Sequence, residues 1–377
     1  MEIPRKKSIK PSTNRCNQLL LEIVEKPGET ANLTLREWDH LLPLARQAGI
    51  LGYFYPRLKQ HGLLKNVPAQ VTPHLEAANV LAEDRERMIR WEVNRVQRAL
   101  IDVGTPLVLL KGAAYVMAGL PCARGRLASD VDIMAPKSHI NLIEKALQTH
   151  GWDVMKLDAY DQRYYRNWMH ELPPLRHRIR GTIVDIHHTI LPQTSRLTPN
   201  AELLLANAQS LPDSRLKVLA PADMVLHCAA HAFHDGELRY SLRDLVDLHE
   251  LLCGFSDTPE FWEELPRRAF QLDLQRPLFY ALRYCQRFLH TPIPGPVNNA
   301  LNHARPIRPA LWLMDKLLKQ TVVARKPHRL NVTSAHWLLY IRSHWLRMPP
   351  LLLTKHLLYK TGKQLRQRLD RANQING

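Results

Sequence analysis

Between Asn17 and about Leu100, apolar residues recur three and four apart, the spacing of helices with one buried face. Trp38, Leu41, Leu42, Leu44, Ala45 and Ala48 form one such stripe. Thr34 precedes it, with Glu37 three residues on, which predicts a capping box. A longer, more polar helix is predicted from about Pro73 to Val103. The period then changes. Residues 106–110 are a short apolar run that stops at Lys111-Gly112 and predicts a buried strand, followed by a short helix over 113–118. Asp130-Val131-Asp132-Ile133-Met134 alternates polar and apolar residues and ends before Pro136, as a strand with one wet face does. Residues 138–150 predict an amphipathic helix capped by Ser138 and ended by Gly151. Residues 152–157 predict another strand. Residues 170–179 and 182–190 predict a hairpin turning at Arg180-Gly181. From about Pro221 the pattern is helical again, and no internal repeat stands out.

The expected fold is therefore α/β (α+β): a small mixed-sheet domain flanked by N- and C-terminal helical regions. The expected divisions are 1–103, N-terminal and helical; 104–215, the sheet domain; 216–302, helical; and 303–377, helical and basic.

Composition leaves that picture standing. Apolar residues make up 45% and charged residues 23%, ordinary values for a folded globular chain. The five cysteines are widely spaced and form no CxxC pair, which argues against a disulfide framework or a zinc site and fits a reducing cytoplasm. The basic start (Arg5, Lys6, Lys7, Lys10) is expected to fray. The apolar run at 19–24 is short and broken by Glu22, unlike a secretory signal. No stretch approaches the ~20 apolar residues of a membrane span. A cytoplasmic protein is expected, at most peripheral at a membrane.

Charge adds one asymmetry. The chain carries a net +17, and residues 303–377 hold 15 Lys/Arg against two acids, Asp315 and Asp370. The rest is close to neutral. Trp312, Trp337, Trp345 and Tyr359 interleave with that basic tail, which suits an anionic partner such as RNA, anionic lipid or an acidic polymer. A solvated basic face on an ordinary helical domain is the favoured account of it.

The chemistry concentrates in the middle third. On a strand, residues two apart share a face, so Asp130 and Asp132 point the same way. Asp185 lies among Ile183, Val184 and Ile186, a run fit for burial, so its charge requires a partner. Three carboxylates from two strands make an oxygen-rich site for Mg²⁺ or Mn²⁺. Gly112 opens a helix after a strand and offers backbone N–H groups to phosphate. Lys111 and Arg126 supply positive charge. His187 shares a face with Asp185, while His188 lies on the other face and is expected to be packed or solvated.

Leu109-Leu110-Lys111-Gly112, Arg126, Ser129-Asp130-Val131-Asp132-Ile133 and Val184-Asp185-Ile186-His187-His188 together resemble the nucleotidyltransferase superfamily of DNA polymerase beta. More closely, they resemble a bacterial family of uncharacterised nucleotidyltransferases. The likeness extends to the helical region around Trp38 and to Pro221-Ala222-Asp223, His227, His231 and Leu242-Arg243-Asp244-Leu245-Val246-Asp247-Leu248, covering roughly residues 30–255. It implies that residues 104–215 are the catalytic domain, with Asp130 and Asp132 binding metal. Asp185 would be the third carboxylate, as base or metal ligand. Lys111, Gly112, Arg126 and Ser129 would hold the triphosphate, and His187 would stand behind the metal ligands. An NTP would be the donor, with a small molecule, a protein or an RNA as acceptor. The superfamily motif carries Gly-Gly or Gly-Ser where this chain has Lys111-Gly112-Ala113. The likeness also suggests that Asp244 anchors its helix to the catalytic domain.

Other readings compete. Asp185 could pair with Arg176 or Arg178 across the hairpin. His227 and His231 have the i, i+4 spacing of a zinc pair, but with no third ligand in view packing is the better account. For the whole chain, the rivals are a nucleotide-binding or regulatory module without turnover, and a basic RNA- or membrane-surface-binding protein.

Overall fold

The computed structural model describes residues 13–354, apart from 213, 236–240, 324–329 and 352. The basic start and the stretch from residue 355 onward, including Tyr359, lie outside the described residues.

The N-terminal region is helical: α1 (Thr13–Glu25), α2 (Leu35–Gln47), α3 (Leu51–Gln60) and α4 (Thr72–Ala99). The capping box at α2 forms as its sequence predicts, with Thr34 accepting from the Glu37 N–H and the Glu37 carboxylate accepting from the Thr34 N–H. Its apolar stripe is buried, with Trp38 fully enclosed.

The sheet region follows: β1 (Leu107–Leu109), α5 (Lys111–Met117), β2 (Asp130–Met134), α6 (Ile140–Thr149), β3 (Trp152–Val154), α7 (Ala159–Trp168), β4 (Leu175–His177), β5 (Ile183–His187), α8 (Ala201–Ala206), β6 (Gln209–Ser210) and β7 (Leu216–Val218). Among the described residues these strands form one mixed sheet in the order β3-β4-β5-β2-β1-β7-β6. β2 runs parallel to β5 and β1 parallel to β7, and the other pairs are antiparallel. Every residue of β1 is buried, as expected of a central strand covered on both faces.

Helices close the fold: α9 (Pro221–Ala230), α10 (Ser241–Phe255), α11 (Pro259–Gln271), α12 (Gln275–Leu289), α13 (Gly295–Ala300), α14 (Arg308–Thr321) and α15 (Leu330–Arg347). None of the helices among the described residues is long and apolar enough to cross a membrane. The chain is thus a mixed α/β protein with helical regions on either side of the sheet, as the apolar pattern predicts.

Three local expectations are corrected. Ser138 does not cap α6: a 3-10 turn over Lys137–His139 follows Pro136, the helix begins at Ile140, and Ser138 Oγ bonds His139 Nδ1 instead. α7 and the small β6–β7 hairpin were not anticipated. β6 has only two residues, both exposed, too short to display an alternation.

Buried charge pairs join the parts. Arg180, in the hairpin turn, donates twice to Glu92 of α4 at 2.9 Å, and the Glu92 side chain is only 1% exposed. Asp223 of α9 is fully buried, accepts from Arg268 of α11 at 2.9 and 2.8 Å, and also binds Asn207. Glu250 of α10 accepts from Tyr53 and Arg57 of α3.

The closest approach is between backbones. Gly125, in the loop before β2, sits at φ +76, and a Cβ there would strike the Gly52 carbonyl and the Tyr53 nitrogen at the start of α3. This seats the N-terminal helices directly on the loop that leads to Asp130. Gly125→Ala combines a left-handed backbone with that clash. It is expected to lower stability by about 2–4 kcal/mol, read as a fall in the urea midpoint.

Candidate active site

Register decides which side chains meet. Asp132 of β2 lies directly opposite Asp185 of β5, and Asp130, two residues before Asp132, shares its face. Strand spacing alone therefore holds three carboxylates together on one face. Asp132 is buried, while Asp130 and Asp185 are partly exposed.

Lys111 and His187 meet Asp132. Lys111 Nζ lies 2.8 Å and His187 Nε2 3.0 Å from the same oxygen, Asp132 Oδ1. Lys111 reaches it from an unusual backbone: it opens α5 at φ +46, left-handed for a residue with a side chain. Holding such a residue there costs on the order of 1 kcal/mol or more. A lysine thus takes a backbone conformation that glycine adopts without a steric cost. The bond from the Leu110 N–H to the Asp132 carbonyl fixes this corner to β2.

The three carboxylates titrate apart. Burial alone would raise Asp132, but Lys111 and the hydrogen bond from His187 outweigh it and hold the carboxyl far below its ordinary range. Asp185 is pushed up to about 7, first by burial and then by the charges of Asp132 and Asp130. Asp130 is raised by burial and by Asp132. Asp185 Oδ1 is buried with no hydrogen-bond partner. An orphaned buried oxygen beside two further carboxylates is suited to a hard divalent cation.

Neither arginine of the hairpin neutralises Asp185. Arg178 is engaged by Asp153 at 2.7 and 2.8 Å, and Arg176 by the Gly181 carbonyl.

The candidate phosphate ligands are arranged unequally. Gly112 is buried, and a Cβ there would stand 2.9 Å from the Ala128 Cβ and 3.3 Å from Arg126 Nε. Ser129 is exposed next to Asp130. Arg126 is ion-paired with Asp247 of α10 and lies over the Tyr115 ring. Asp247, one turn beyond Asp244, therefore ties α10 to the sheet domain. Among the described residues the Asp244 carboxylate lies 3.9 Å from its neighbour Arg243, so the ion pair from α10 to Arg126 is made by Asp247, three residues further along the helix. Arg243 is partly buried, and burial followed by the charge of Arg126 lowers its pKa. Its electrostatic contact with Asp130 adds it to the cations around the acids.

Side chains outside the carboxylate motif complete the surroundings. Glu171 bridges His187 across an antiparallel pair, and its Oε2 lies 3.4 Å from His187 Nε2. His170 stands beside it. Tyr165 of α7 is raised to about 12 by burial, then by Glu171 and Asp185. His227 of α9 is buried, and burial, then Lys111, His231 and His187, hold it well below its usual value. His188 lies on the opposite face, packed against the Met169 carbonyl, as expected. A cavity of about 790 Å³ opens beside His188 and Lys137, away from the carboxylates.

A mixed sheet that presents clustered carboxylates and flanking cations on one face is the kind of site that handles phosphate esters with divalent ions. Residues 34–290, about two thirds of the chain, match the family described as uncharacterised nucleotidyltransferase, and the chain belongs to that family. No protein of curated function matches it.

The repulsion at Asp185 has a measurable consequence. Its folded pKa of about 7 exceeds the unfolded value of about 3.9, so the folded state binds more protons between those limits and stability falls as pH rises through them. Asp185→Asn removes that loss. In EDTA, the variant is expected to exceed the parent by on the order of 2 kcal/mol at pH 8, with the difference vanishing near pH 4. Thermal melts across pH measure it.

Proposed function

We propose that this protein is a metal-dependent nucleotidyltransferase that moves a nucleoside monophosphate from an NTP to an acceptor hydroxyl or phosphate and releases pyrophosphate. One observation carries the reading: three carboxylates on adjacent parallel strands, with Asp132 and Asp185 in register and Asp185 Oδ1 buried and unpartnered. Family membership supports the reaction class. In its chemistry this site resembles the one expected for DNA polymerase beta-like enzymes.

In this reading, Asp130, Asp132 and Asp185 hold Mg²⁺ or Mn²⁺. Bound ions of this kind polarise phosphate oxygens and offset their charge. Lys111 would exchange Asp132 for a phosphate oxygen as nucleotide arrives, and Gly112 and Ser129 would line the path of the triphosphate. Arg243, and Arg126 from its pair with Asp247, add positive field. Asp185 would accept the proton of the acceptor hydroxyl through its buried, unpartnered Oδ1. The acceptor oxygen bonds to the α-phosphorus, the bond from that phosphorus to the bridging oxygen breaks, and pyrophosphate departs with both electrons. Positioning and charge neutralisation would supply most of the acceleration.

A second reading rests on Lys111. Its ammonium already neutralises Asp132, as it would in a nucleotide-binding module without turnover.

The assay is pyrophosphate release from ATP, GTP, CTP and UTP with Mg²⁺ or Mn²⁺ and a cell extract as source of acceptor. Release is expected to require metal and to fall by about 10²-fold or more in Asp130→Ala/Asp132→Ala. Release that persists in the folded double variant would overturn the assignment. Metal-dependent nucleotide binding without release would favour the second reading.

A further inference from the structure

Beside the carboxylates, His170, Glu171 and His187 bring one ligand atom each to within 4.8 Å of one another. Glu171 Oε2 is central, 3.4 Å from His187 Nε2 and 3.9 Å from His170 Nε2. Both histidines are buried and Glu171 is partly so. Atoms bound about 2.0–2.1 Å from a tetrahedral ion stand roughly 3.3 Å apart, which small side-chain movements would reach here.

Backbone pairing holds the trio. The Leu172 N–H bonds the Ile186 carbonyl and the His188 N–H bonds the His170 carbonyl, both at 2.9 Å. Glu171 and His187 therefore face each other across a fixed pair, on the sheet side that carries Asp132 and Asp185. Asp132 Oδ1, 3.0 Å from the same His187 nitrogen, stands next to the trio as a fourth ligand atom. Two oxygens thus converge on one imidazole nitrogen, which has at most one proton to offer.

We propose that His170, Glu171 and His187 form a binding site for a d-block divalent cation, with Asp132 as the carboxylate shared with the neighbouring acidic site. Two imidazoles and a carboxylate suit Zn²⁺, Mn²⁺, Fe²⁺ or Co²⁺, whereas Mg²⁺ favours oxygen. The chain then holds two chemically different cation positions: an all-oxygen one at Asp130, Asp132 and Asp185, and a nitrogen-containing one alongside. Lys111 separates them by holding Asp132 Oδ1, so its departure toward phosphate would free that oxygen for an ion. Binding here needs no turnover.

The test loads the full chain with Mn²⁺ or Co²⁺ and dialyses it against millimolar Mg²⁺. About one ion per chain should remain. The Mn²⁺ form should show nitrogen hyperfine coupling from imidazole in pulsed EPR, and the Co²⁺ form the visible bands of a four- or five-coordinate ion. His170→Ala and Glu171→Gln should each weaken retention about 10-fold or more, whereas Asp130→Asn should keep the ion and its nitrogen coupling. Loss of every d-block ion to Mg²⁺, or a retained ion without nitrogen coupling, overturns the proposal on the unaltered protein, whether or not the variants fold. A retained, nitrogen-bound ion in a protein that releases no pyrophosphate would uphold this site while removing the turnover reading. Release with Mg²⁺ alone and no d-block binding would do the reverse.

Discussion

Like charges held side by side govern the centre of this molecule. Parallel pairing of β2 with β5 sets Asp132 against Asp185, and the two-residue period adds Asp130 to the same face. The folded chain must meet the cost of that repulsion, and it does so unevenly. Lys111 and His187 keep Asp132 ionised, while burial, and then the charges of Asp132 and Asp130, drive Asp185 up to about 7. The left-handed backbone of Lys111 is a further cost at the same place. Strain and repulsion concentrated at one spot on the sheet are what a cation and a polyphosphate would relieve.

The surrounding architecture holds that spot steady. Helix α10 does so from two points, through Asp247 to Arg126 and through Glu250 to Tyr53 and Arg57. The Gly52–Gly125 approach brings the N-terminal helices onto the same loop. The helical regions thus bear on Arg126 and Asp130 and do more than cover the sheet.

Much of this was legible in local spacing. The capping box at Thr34, the short buried strand before Lys111, the alternation through Asp130 and Asp132, and the hairpin about Arg180 all follow from interactions within a few residues. The rest depends on partners far apart in sequence. Arg126 finds Asp247 across 121 positions, and no local feature separates Asp247 from Asp244 as its partner. Glu171 joins His187 through an isolated bridge after an unanticipated helix, so a dipeptide inside a predicted strand gave no sign of ligand geometry. Ser138 lost its capping role because Pro136 starts a 3-10 turn that uses up the positions where the helix was expected to begin.

The measurement that bears most directly on the central claim follows the phosphorus. The protein is incubated with metal, acceptor extract and an NTP labelled at either the α- or the γ-phosphate. Nucleotidyl transfer at the Asp130, Asp132 and Asp185 site predicts α-label covalently retained on an acceptor and γ-label released as pyrophosphate. Transfer of the γ-label to the acceptor, or α-label recovered only in free nucleotide, would contradict it.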